Sequence, residues 1–204
     1  MTVTISRLYN DYGDARAAVR QLEAAGVSHG DISVIASNAE NWYKDGKDTY
    51  PDRDLDGKDD RAEAAGTGAA LGATAGGAAG LLAGLGLMAI PGVGPVVAAG
   101  WLVSTLAGAA AGGATGGALG ALTQAGVSKD EAHVYAEGLR RGGVVVSARV
   151  ADSDADRLQA TMDRSAIRVT DRAAAYRKSG WKTFDPNSTP YTADQVKKER
   201  SQYM

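Results

Sequence analysis

From Ala64 to Ser128 the chain carries no charged residue and consists mostly of Gly, Ala and Leu. Small residues recur within it at a spacing of four: Gly68, Gly72, Gly76, Gly80 and Gly84, then Gly100, Ser104, Gly108, Gly112, Gly116 and Gly120. That spacing places each series on one helical stripe. Between the series lie Pro91, Gly92, Val93, Gly94 and Pro95, which no helix interior accommodates. The pattern predicts a helical hairpin, from about Ala64 to Ala89 and from about Val96 to Thr123, packed along glycine-lined faces. Interior glycine costs roughly 1 kcal/mol relative to alanine, so such helices need a partner surface. At 1.5 Å per residue each would be roughly 40 Å long, which exceeds the ~30 Å hydrocarbon layer. The large apolar residues gather near the turn (Leu85, Leu87, Met88, Ile90, Val96, Val97, Trp101, Leu102), so the tip is expected to enter lipid or another subunit.

The remainder reads as small alternating elements. Val3 and Ile5 alternate with polar neighbours, Asn10 or Asp11 caps a helix carrying Ala15, Ala18, Val19, Leu22 and Ala25, and Gly26 ends it before a strand at Ile32, Val34 and Ala36. Ala125-Gly126-Val127-Ser128 repeats Ala25-Gly26-Val27-Ser28, and Ser128 with Glu131 forms a capping-box pattern. A helix to Gly142, a strand at Val144 to Val150, a helix from Ser153 and a strand at Ile167 and Val169 complete the set. The expected fold class is therefore α+β, a ferredoxin-like sandwich with an inserted glycine-zipper hairpin. Its divisions are 1–37 and 128–171 for the sandwich, 38–63 for a polar insert, 64–127 for the hairpin and 172–204 for a C-terminal arm.

The strand Asp31 to Ala36, the zipper with Ile90 to Pro95 and the run Gly142 to Ser147 resemble the general stress protein 17M-like (heat-induced stress protein) family. The resemblance covers roughly residues 3 to 170 and implies a non-enzymatic stress-response role, with no catalytic residues to transfer.

The insert holds Asp52, Asp54, Asp56, Gly57, Lys58, Asp60 and Glu63 at the spacing of a calcium-binding loop, with Lys58 contributing its backbone carbonyl. Asp59 at the usually apolar eighth position and Pro51 before the loop depart from the paired-helix version. Calcium ligation and a solvated acidic linker that complements a helix N-terminus both fit these residues. His29 and His133 stand apart as ordinary boundary residues, Asp152, Asp154 and Asp156 fit a helix start, and no nucleophile triad, phosphate loop or dinucleotide fingerprint occurs. No enzyme activity is expected.

The tail sets Trp181, Phe184 and Tyr191 among prolines, the composition of an arm laid on a surface, and Thr192 with Gln195 opens a short helix. Its basic residues, Arg172, Arg177, Lys178, Lys182, Lys197, Lys198 and Arg200, suit anionic lipid headgroups. A formal net charge of −2 argues against nucleic acid, absent cysteine fits a reducing cytoplasm, and the first residues lack a signal-peptide pattern. The leading expectation is a cytoplasmic homo-oligomer, filamentous or closed, at or near the inner face of the membrane. The alternative is a soluble regulatory module that binds a ligand or partner and uses the hairpin as a spacer.

Overall fold

A computed structural model describes residues 1–43, 86–103, 105–106 and 117–203. Within these, five strands form one antiparallel sheet: β1 (Thr2–Tyr9), β2 (Ile32–Ser37), β3 (Gly86–Ile90), β4 (Gly94–Gly100) and β5 (Val144–Ala151). The order across the sheet is β1-β5-β2-β4-β3. Six α-helices accompany it among the described residues: α1 (Tyr12–Ala24), α2 (Gly117–Gln124), α3 (Lys129–Arg140), α4 (Ala155–Met162), α5 (Val169–Lys178) and α6 (Ala193–Arg200). The class is mixed α+β.

The first βαβ unit forms as the sequence predicts. Asp11 accepts a hydrogen bond from the Asp14 amide at 3.0 Å to start α1. At its far end the Val27 amide reaches the Leu22 carbonyl and the Gly26 amide the Glu23 carbonyl, with Gly26 at φ +95°. That pairing is a Schellman motif, and its left-handed residue favours glycine. Gly126 closes α2 with the same two bonds, Val127 to Leu122 and Gly126 to Thr123. The repeated tetrapeptide is thus one helix stop used twice. The two serines that follow diverge: Ser28 leads into a short 3-10 turn without a side-chain cap, whereas the Ser128 oxygen accepts from the Glu131 amide at 3.3 Å.

Two layers of helices cover the sheet. Against one face, α1 and α4 bury Leu22, Leu158 and Met162 with Ile5, Val34, Val146 and Ala148. Against the other, α2 and α3 bury Leu122, Tyr135 and Leu139 with Leu8, Ile35, Val96 and Val145. Each fully buried leucine in these layers contributes about 2 kcal/mol of transfer free energy. Between the layers, three polar groups buried in the sheet are satisfied. Ser6 and Ser147 share a hydrogen bond of 2.8 Å, and Ser33 donates to the Ala99 carbonyl while accepting from the Leu102 amide.

The structure overturns three expectations. Residues 86–89 and 96–100, read as helix ends, are strands that join the sheet beside β2. Val96, Val97, Ala98 and Ala99 are all buried, and a strand buried on both faces has no alternation to distinguish it from a helical run. Pro91, Gly92 and Val93 make the tight turn of a β-hairpin, with the Val93 amide bonded to the Ile90 carbonyl. Second, the strand expected at Ile167 and Val169 reduces to a single bridge between Leu8 and Ile167, and α5 starts at Val169. Two alternating apolar residues are too few to hold an edge once a helix with Asp171 in its first turn can begin. Third, the hairpin tip at Gly92 to Gly94 is covered by the chain's own C-terminal arm.

Candidate functional site

The features that the sequence reading kept apart, the hairpin tip and the arm, meet in the fold. The arm leaves α5 through Gly180 at φ +88° and sets Trp181 edge-on against Tyr176, with ring centres 5.7 Å apart. Thr183 bonds His133 at 2.8 Å, and Phe184, only 3% exposed, joins the core that contains Ile90 and Val93. At Asp185-Pro186 the arm passes directly over the tip. A Cβ placed on Gly92 would lie 2.7 Å from the Asp185 carbonyl oxygen and from Pro186 Cα, and one on Gly94 would lie 2.7 Å from Pro190 Cβ. The absence of side chains at Gly92 and Gly94 is what lets two segments far apart in sequence touch. Pro91 and Pro95 flank this contact, and the tip expected to be free for lipid or another subunit is therefore occupied.

A buried ion network fastens the end of the arm. Thr192 and Gln195 form a complete capping box that starts α6. The helix then places Glu199 against Arg141, at 2.9 Å, and the Val196 side chain against the turn at Gly142. Glu137, 1% exposed, accepts from Arg140 at 2.7 Å and from Arg141 at 2.6 Å. Burial works against the charge on Arg141, but its bonds to Glu137 and Glu199 outweigh that and hold its pKa above the ordinary arginine value. Cation–ring contacts complete the clamp: Arg141 lies 4.2 Å from the centre of Tyr176, Arg140 4.4 Å from Tyr191, and Arg172 3.6 Å from Tyr203. Burial pushes the Tyr176 hydroxyl well above its usual pKa. Two of the basic residues assigned to lipid are committed elsewhere: Arg172 donates to Asn10 at 2.7 Å, and Arg200 pairs with Glu40 at 2.8 Å.

Beside this clamp a cleft of about 430 Å³ opens between the start of α1, the end of β2 and the outer face of α6. Ser37 and Val144 form its buried floor. On one wall stands Trp42, whose indole nitrogen donates to the Ser37 carbonyl at 2.7 Å and whose ring lies 4.9 Å from that of Tyr12. On the other stand Lys197 and Arg200. Trp42 and Tyr12 carry no motif that spacing or periodicity singles out. A lone tryptophan in a polar segment after a strand was the available signal, and nothing local ties it to a helix at residue 197.

The other sequence-predicted residues divide cleanly. Asp52, Asp54, Asp56, Lys58, Asp60 and Glu63 lie outside the described residues, as do Gly68, Gly72, Gly76, Gly80, Gly84, Ser104, Gly108, Gly112 and Gly116. Gly120 falls in α2. Gly100 ends β4 rather than lining a helix: at φ +90°, its Cβ would lie 2.2 Å from the Ile32 carbonyl oxygen. His29 pairs with Glu23 at 3.0 Å, and among the described residues no three His, Cys, Asp or Glu side chains gather as a metal site would need. No helix among the described residues is long and apolar enough to cross a membrane. No protein family, curated protein or solved structure matches the chain.

Proposed function

We propose that this chain is a non-enzymatic protein that works by self-association, of the stress-response kind its family resemblance implies. The observation that carries the proposal is β3. Among the described residues it lies at one end of the sheet order, and its sequence, Gly86-Leu87-Met88-Ala89-Ile90, is mostly exposed and contains neither charge nor proline. Edge strands in monomeric proteins are commonly guarded by charged residues, proline or bulges, and an unguarded apolar edge invites pairing with another chain. The four-residue spacing of small residues from Gly68 to Gly80 and from Gly108 to Gly120 supports close packing in the same assembly. With Gly92, Val93 and Gly94 at the hairpin tip buried under the arm, self-contact is favoured over lipid insertion. The ferredoxin-like reading draws support from β1, β5 and β2 lying side by side with α1 and α4 on one face. For Asp52 to Glu63, calcium ligation and a solvated acidic linker are the two readings, and calorimetry of the wild type against Asp54→Ala decides between them.

Size measurement by light scattering decides the main proposal. The wild type should run well above the 20.9 kDa monomer, and Leu87→Lys, which places a guarding charge on the edge, should return it toward that mass. A wild-type chain that is monomeric without detergent would sink the proposal. A second reading, a soluble ligand-binding module, is favoured by the cleft beside α6.

A further inference from the structure

Trp42 is 42% exposed, while the other two tryptophans, Trp101 and Trp181, are partly buried. The exposed ring is held in place: its nitrogen is committed to the Ser37 carbonyl at 2.7 Å and Tyr12 packs against it at 4.9 Å. An aromatic face that is fixed and open to solvent offers stacking area without the entropy cost of ordering a loose side chain.

The charges around the cleft are mostly spent. The Asp11 carboxylate caps α1 through the Asp14 amide. Glu40 is paired with Arg200 at 2.8 Å, and a second Arg200 nitrogen donates to the Gly142 carbonyl at 3.3 Å. Lys197, on the exposed side of α6, has no hydrogen bond or ion pair among the described residues. Among the described residues the cleft therefore presents the part of the Trp42 ring that Tyr12 and Tyr43 leave exposed, together with one cation, Lys197, that is not already paired. Its volume, about 430 Å³, lies within the range of small-molecule sites.

We propose that this cleft binds a small planar aromatic ring carrying an anionic group, with the ring stacked on Trp42 and the anion paired with Lys197. The inference gives the second reading above its ligand class and does not depend on self-association. An aromatic carboxylate and a purine monophosphate share the required chemistry, and they differ in ring size and charge.

Titration calorimetry with indole-3-acetate, adenosine monophosphate and uncharged indole tests it, with light scattering run on the same samples so that loss of assembly is read separately. The wild type should bind at least one of the two anions, and indole more weakly. Lys197→Gln should weaken the anions about fivefold and leave indole unchanged, the size expected of one exposed ion pair. Trp42→Phe, which keeps a ring in place, should retain part of the affinity, and Trp42→Ala should abolish it for all three. Two results would each overturn the assignment: no binding of either anion by the wild type at millimolar concentration, or anion binding that Lys197→Gln leaves unchanged.

Discussion

The two sides of the sheet are closed in different ways. Against α1 and α4 the closure is an ordinary apolar core, in which Leu22, Leu158 and Met162 meet Val34, Val146 and Ala148. On the other side the core under α2 and α3 continues into the β3–β4 hairpin. It is finished there by an arm held through glycine contacts, a buried carboxylate and stacked guanidinium groups. The first kind of closure tolerates volume-conserving changes, because apolar packing is not directional. The second depends on backbone approach and paired charge, which tolerate little.

Gly100 and Gly26 give the largest expected contrast. Both hold left-handed backbone, at φ +90° and +95°. A Cβ on Gly26 would meet nothing within 4 Å, so Gly26→Ala should cost only the conformational penalty, about 1–2 kcal/mol. On Gly100 it would lie 2.2 Å from the Ile32 oxygen and 2.7 Å from Ser33 Cα, both backbone of the neighbouring strand that cannot swing away. Gly100→Ala should therefore cost more than about 3 kcal/mol in urea unfolding. Equal losses would mean that the hairpin side accommodates change as readily as the α1 side.

Glu137→Gln comes next. It leaves Arg140 and Arg141 without their shared buried carboxylate, which should cost about 2–3 kcal/mol. The loss should fall first on the arm, so limited proteolysis should cut the 179–203 segment well before the sheet opens. A variant that is destabilised but whose tail is no more accessible would show that Glu137 serves the core rather than the clamp.

Alkaline titration compares the two sides directly. Burial raises the pKa of Tyr9, on the α1 side, and of Tyr176, under the arm. The folded chain keeps both phenols neutral, whereas the unfolded chain ionises them near pH 10. Their contribution to stability is therefore complete below pH 10 and is lost as the pH rises above it toward the folded values. Tyr9→Phe and Tyr176→Phe should each flatten that loss. In Glu137→Gln, phenolate absorbance should show one tyrosine ionising earlier, and adding Tyr176→Phe should remove that early step while Tyr9→Phe should not.

The same contrast explains how much could be read from sequence. The helix at Tyr12 to Ala24, a cap at Asn10 or Asp11, the Gly26 stop and the capping box at Thr192 are local, and periodicity and spacing identify them; the structure decides the cap for Asp11. The β-hairpin is not legible in the sequence, because Val96 to Ala99 are buried on both faces and carry no period. Their proline and glycine neighbours punctuate a helical hairpin and a β-hairpin alike. The clamp was invisible for another reason. Glu137 and Arg141 look like an ordinary exposed i,i+4 pair until Glu199 and Tyr176 close over them. Likewise, only the fold brings Trp42 and Lys197 to the same cleft.

Tyr191 gives the smallest expected effect and the finest test of the arm. Arg140 stacks 4.4 Å from its ring centre, and the same guanidinium is already held by Glu137. The ring is half-buried, so the stacking should contribute about 0.5–1 kcal/mol. Tyr191→Ala should lower stability by that much, and Tyr191→Phe should leave it nearly unchanged, since a ring face is what Arg140 meets. If Glu137 orients Arg140 for the ring, the two effects are coupled, and Tyr191→Ala should cost little in a Glu137→Gln background. Additive losses would mean that ring and carboxylate hold the arm independently, and that the clamp consists of separate contacts rather than one network.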